Sequence, residues 1–236
     1  MKTKLYLLLS LLLILSGCAQ ETDDFISKHC PGSCTVITGK LTTDGRNKPL
    51  AGVKLDVIWD ESNMLGGETR RKAVTTTDTN GNYILSFLLR DDELQDSNTP
   101  GIIKVNAHIN ETKFLSEPGS TTILTAYELG RDTTISLNYN LPQKAIIKVQ
   151  AQNTAVMQTG DYMYTCFIFD IGESAEDQNC MQTLYWSKTT PEDQSEVAAN
   201  QQVIIRTEKR KAGTETVTED TVTVPPGQVY TYQVTF

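Results

Sequence analysis

The sequence predicts an all-β protein built from two tandem β-sandwich modules, and three observations predict it. From Thr35 onward, short runs rich in Val, Ile, Thr and Tyr follow one another to the C-terminal Phe236. Clusters of Gly, Pro, Asn and Asp separate these runs, the rhythm of sandwich folds. Within the runs apolar and polar residues alternate, which puts one face of each strand on a core and leaves helical periodicity nearly absent.

The first residues are of another kind. Lys2 and Lys4 precede an almost wholly apolar run over 6–15, the layout of an export signal occupying 1–17. That run is shorter than the roughly 20 residues of a spanning helix. It closes in Leu15-Ser16-Gly17-Cys18, which resembles the lipobox of bacterial lipoproteins. The resemblance implies cleavage before Cys18, its acylation (palmitate included) and anchoring in the outer membrane, and two or more acyl chains make such an anchor stable.

Residues 18–33 are polar and show neither period, so they are expected to form an acidic tether. Glu21, Asp23 and Asp24 within it resemble the surface-export signal of Bacteroidetes lipoproteins. That implies display at the cell surface, with the periplasmic face as the alternative. Loss of Lys2 and Lys4 leaves 19 basic against 29 acidic side chains, a net charge of −10 on the mature chain. Such a surface repels nucleic acid and anionic headgroups, so no nucleic-acid partner is expected and the membrane is reached through lipid alone.

Five cysteines become an even set once Cys18 is assigned to lipid. Four thiols in an exported chain can pair in three ways. Spacing favours Cys30 with Cys34 and Cys166 with Cys180, since each pair is local and each lies in a different half.

Strands of the first module are expected at 35–41, 53–59, 70–77, 82–88, 102–109, 121–126 and 131–139. Val53, Leu55, Val57 and Trp59 should share a buried face, as should Ile103, Val105, Ala107 and Ile109. Asp44-Gly45 permits a tight reversal, and Asn80-Gly81 offers the positive φ angles of a type I′ hairpin. The segments Thr38-Gly39-Lys40-Leu41-Thr42-Thr43-Asp44-Gly45, Lys48-Pro49-Leu50-Ala51-Gly52-Val53 and Thr77-Asp78-Thr79-Asn80-Gly81-Asn82-Tyr83 resemble the carboxypeptidase regulatory-like domain. That resemblance implies a transthyretin-like sandwich over 34–141 and an accessory role, not an activity.

Leu141-Pro142 is read as the boundary, because proline cannot donate to a sheet ladder. The second, immunoglobulin-like module over 142–236 should hold strands at 145–151, 162–170, 181–186, 202–208, 214–224 and 229–236. The last carries Tyr230, Tyr232, Val234 and Phe236 on one face, so the C-terminus should be locked.

Catalytic signals are weak. His108 and Glu111 have the spacing of a zinc peptidase pair, yet no histidine follows them, and His29 lies in the tether. Asp78 to Asn82 has the start of a calcium loop without its glycine and glutamate. Asp170, Glu173, Glu176 and Asp177 form a looser acidic set between two cysteines. No metal or other cofactor is expected, and no Gly-x-Ser-x-Gly elbow is present. Trp59, Tyr162, Tyr164, Tyr185 and Trp186 are candidates for stacking on a glycan. The surface is centred on Tyr185 and Trp186, which as neighbours must face opposite sides of a strand. The reading is a non-catalytic envelope lipoprotein that binds a protein or glycan ligand or serves as a structural module. An accessory subunit of an outer-membrane transporter or glycan-uptake system is the alternative, and a hydrolase the less favoured one.

Overall fold

The computed structural model describes residues 21–24, 27, 29–61, 67–94, 101–116, 121–173 and 180–236. The export signal, Cys18 with its lipobox, Glu176 and Asp177 lie outside them. The fold is all-β and arranged as sandwiches, as alternation in the sequence predicts.

In the first half, β1 (Glu21–Asp23), β2 (Thr35–Thr43), β3 (Lys48–Pro49), β4 (Lys54–Asp60), β5 (Thr69–Thr76), β6 (Asn82–Phe87), β7 (Ile102–His108), β8 (Thr122–Ala126), β9 (Thr134–Ser136) and β10 (Tyr139–Asn140) form two sheets. One has the order β1-β5-β4-β7-β8; in the other, β2 pairs with β3, β6, β9 and β10. The core lies between them. Leu55, Val57 and Trp59 of β4 and Ile103, Val105 and Ala107 of β7 meet Ile37 and Leu41 of β2 and Leu85 and Phe87 of β6. Ile109, beyond the end of β7, packs against that core only partly buried.

Two local expectations are corrected. Part of the segment read as an acidic tether is docked: β1 runs parallel to β5 with Glu21 opposite Thr69 and Asp23 opposite Arg71. Short polar strands of this kind carry no alternation to read, and pairing on a sheet edge supplies their order. The Asn80-Gly81 turn is not a type I′ hairpin, because Gly81 alone of the pair has positive φ, at +79°. It is a turn in which Gly81 N–H donates to Asp78 O, and Asp78 Oδ1 accepts from the amides of Asn80 and Asn82. It joins β5 in one sheet to β6 in the other, so no hairpin twist has to be matched. A side chain at Gly81 would stand 2.4 Å from Leu41 O.

The second half holds β11 (Lys144–Gln152), β12 (Tyr162–Ile168), β13 (Gln182–Tyr185), β14 (Glu192–Ala198), β15 (Val203–Lys211), β16 (Thr214–Val222) and β17 (Val229–Thr235). The sheet β14-β11-β17 packs against β13-β12-β15-β16. Strand β14 was not expected: Glu192, Asp193, Gln194 and Glu196 hide the alternation of Ser195 and Val197. At the C-terminus Val234 and Phe236 are buried, and Phe236 N–H donates to Gln152 O; Tyr230 is 40% exposed and leaves the buried face.

The cores change hands near Pro142, with Leu141 in the first and Ala145 in the second. The halves are nevertheless knotted together. Leu115, from the first half, joins the second core, and its N–H donates to Pro142 O. Asn140, fully buried, exchanges backbone hydrogen bonds with Gly172 and donates through Nδ2 to Asp170 O. Arg46 forms an ion pair with Asp170 at 2.9 Å and donates to Gly172 O. Asp44, Gly45 and Arg46 all have left-handed φ, at 53°, 62° and 67°. That is costly for an arginine, and the contacts across the junction hold it there.

Candidate functional site

The structure sorts the five candidate aromatics. Trp59 is buried in the first core, with Arg70 4.6 Å above its ring. Trp186 is buried in the second, where its Nε1–H donates to Thr165 Oγ1. The centre of the expected stacking surface is therefore corrected: Trp186 is core, and its neighbour Tyr185, 72% exposed, is the surface residue.

Tyr185 does not stand alone. Residues two apart on a strand share a face, so Tyr162 and Tyr164 project from the same outer side of β12. Tyr185 of β13 sits directly opposite Tyr164 in the ladder. The result is a row, with Tyr162 and Tyr164 rings 6.1 Å apart and nearly parallel, and Tyr164 and Tyr185 6.0 Å apart and tilted. Glu208, opposite Tyr164 on β15, accepts the Tyr164 hydroxyl at 2.5 Å and the Tyr162 hydroxyl at 3.2 Å. The hydrogen bond to this carboxylate, with some burial, pushes the Tyr164 hydroxyl up to about 12. Sequence reasoning found the tyrosines and missed Glu208, because only the β12–β15 register brings it to them.

Next to Tyr162 in the chain and in the ladder, Asp161 and Arg210 line a cleft of about 510 Å³ with Val156, Gly160, Lys211 and Gly213; the tyrosines themselves do not line it. Asp161 accepts from the amides of Gln158 and Ala212, which lower its carboxyl below the usual range. Two residues beyond Tyr164 on the same side of β12, Cys166 is joined to Cys180. The second bond joins Cys30 and Cys34, so both pairings have the local form favoured by spacing and fit an oxidising compartment. The outer face thus offers apolar ring surface, hydroxyls, a carboxylate and flanking cations, a set suited to stacking and hydrogen bonding.

The acids read as an export signal have structural partners. Lys72, on β5, falls at a bulge where Val57 pairs with Ala73 and Ile58 with Arg71. The bulge aims its side chain inward, where Nζ contacts Asp24 at 2.5 Å and Glu93 at 2.6 Å with all three side chains fully buried. Arg90 clamps both oxygens of Asp24, and Arg70 binds Glu68, Asp92 and Glu93. Burial alone would raise Asp24. The hydrogen bonds from Arg90, Lys72 and Ser27 N–H outweigh it and hold the carboxyl far below the usual range. Asp23 pairs with Arg71. For Glu21 the structure describes the backbone pairing of β1.

The remaining candidates stand apart. His108 is exposed on the polar face of β7, with Nε2 2.7 Å from Asp56. His29 is also exposed. Asp170 is taken up by Arg46. Among the described residues no group of three or more His, Cys, Asp and Glu side chains is placed to hold a metal.

No family model and no curated protein matches the chain. Solved structures with similar arrangement include the shaft pilin SpaA of Lactobacillus rhamnosus GG, at 7% identity over 86% of this chain and 97% of that one, with a TM-score of 0.31. The minor pilin GBS52 of Streptococcus agalactiae matches at 10% identity over 86% and 95%, with a TM-score of 0.29. A 9R-lipoxygenase from Cyanothece matches at 18% identity over 46% of this chain, with a TM-score of 0.29; the matched part is 16% of the lipoxygenase. These are likenesses of arrangement, and they carry no ligand or activity to this chain.

Proposed function

We propose that this is a non-catalytic binding module of the bacterial cell envelope, anchored through lipid on Cys18, that takes a glycan on the outer face of β13-β12-β15-β16. One observation carries the reading: three tyrosines form a surface row ending in a 72% exposed Tyr185. Large rings are normally spent on the core, as Trp59 and Trp186 are, and a row left outside favours a stacking partner. Glu208 holds two of the rings in place, so less side-chain freedom is lost on binding. A glycan array on the purified protein, followed by titration of any ligand found, tests the reading. Tyr185→Ala should weaken binding at least tenfold and leave the unfolding free energy within about 0.5 kcal/mol of the parent, as expected for an exposed site. Trp186→Ala, by contrast, should cost about 3–5 kcal/mol of stability. An array without a ligand, or full affinity in Tyr185→Ala, defeats the glycan reading.

A further inference from the structure

Strand β16 is the free edge of its sheet, in the order β13-β12-β15-β16. It pairs with β15 over nine unbroken positions, from Val203 opposite Val222 to Lys211 opposite Thr214, with no register shift. Its residues are exposed throughout except for half-buried Val222. Among the described residues, its backbone makes no hydrogen bond beyond the β15 ladder. Long regular edges are templates for another strand, and proteins usually blunt them with charged side chains, lysine above all, or with proline, bulges or brevity. The run Thr-Glu-Thr-Val-Thr-Glu-Asp-Thr-Val has no proline, lysine or bulge, and its three acids oppose pairing where acid meets acid.

We infer that this edge pairs with the same edge of a second copy of the chain, antiparallel, about a two-fold axis at Thr218. The charge pattern selects that register. A two-fold perpendicular to the sheet keeps outer residues outer, so allowed registers differ by steps of two residues in the pairing. With Thr218 facing the partner's Thr218, all nine positions pair. Glu215 then faces the partner's Thr221, Glu219 the partner's Val217 and Asp220 the partner's Thr216, and no acid opposes an acid. The next register on one side sets Glu215 against the partner's Glu219; on the other, Glu219 faces the partner's Glu219. Directly opposed like charges are unfavourable, so both neighbouring registers are rejected.

The second sheet supports the same seam. Its edge strand β17 lies alongside, linked by the Tyr232 hydroxyl to Asp220 and by Lys209 Nζ to Thr235 O, and it leaves Val229 and Tyr230 exposed. Pairing joins two four-stranded sheets into one of eight strands. Both tyrosine rows then lie on the same face, so the pair engages a repeating ligand at two points.

Thr221 gives a register-specific test, since it is exposed and stands opposite only the partner's Glu215. Sedimentation of the purified full chain in detergent, over a range of concentrations, should show reversible dimers. Thr221→Lys creates two opposite-charge pairs and should tighten association by roughly fivefold, whereas Thr221→Glu should weaken it by a similar factor. Thr218→Cys should form a disulfide between copies on mild oxidation, because the residue faces itself across the axis. Circular dichroism of each variant should match the parent. A monomer at every concentration, equal association of the lysine and glutamate variants, or no disulfide from Thr218→Cys overturns the proposal. None of these readouts depends on glycan binding.

Discussion

Lys72 shows how far one side chain can tie a chain segment down. A buried ammonium is stable only when paired, and here Asp24 and Glu93 share it while Arg90 and Arg70 neutralise their remaining charge. Lys72→Met would leave two carboxylates buried with fewer partners. It should cost about 3–5 kcal/mol in urea unfolding. A cost near zero would show that the carboxylates find water instead. The same cluster sets a pH dependence. Asp24 has a folded pKa below its unfolded value, so its contribution is present above about pH 4 and is lost as pH falls below that. The unfolding midpoint should therefore be level from near-neutral pH down to about 5 and fall steeply below about 4; in Asp24→Asn the fall should be shallower.

Among the elements, β1 ties the N-terminal segment to the fold. If Glu21, Asp23 and Asp24 served only as an exposed signal, replacing all three with alanine would leave stability unchanged. The structure predicts otherwise, because Asp24 closes the Lys72 cluster and Asp23 pairs with Arg71. The triple variant should lose at least about 3 kcal/mol, with Asp24 accounting for most of it. An export experiment on that variant would be confounded by instability. Glu21→Ala with Asp23→Ala, which spares Asp24, separates surface display from folding; retained protease sensitivity on intact cells in that double variant would argue against an export signal. The pairing of β1 was hidden in the sequence for a plain reason. Three residues cannot display a period, and the ammonium that needs Asp24 lies 48 positions away.

For the whole molecule, the junction decides whether two sandwiches behave as one body. Asn140, Arg46, Asp170, Gly172 and Gln201 form a polar knot, and Leu115 crosses into the second core. Thermal unfolding should follow one cooperative transition in the parent. Arg46→Ala removes the ion pair and the bond to Gly172 O, so the transition should broaden or divide in two. Calorimetry reads this directly, and an unchanged single transition would place the coupling in Leu115 and the 113–115 to 142–144 contacts instead.

The sequence by itself determined which face of β4, β7 and β11 is buried, because alternation is written in neighbouring residues; for β12 the strand was legible and the face was not. It also favoured the two local disulfides among three possible pairings, since short spacing makes loop closure cheap, and the structure holds those two. Tertiary structure decided the rest. Whether Tyr185 or Trp186 faced water could not be read from two adjacent aromatics, since either parity fits a strand; the β12 register and the Thr165 hydroxyl settled it. Glu208, the Lys72 cluster, the acidic strand β14 and the knot at Asn140 all depend on partners far along the chain. Such pairings are fixed by which strands lie side by side, and no local pattern encodes that choice.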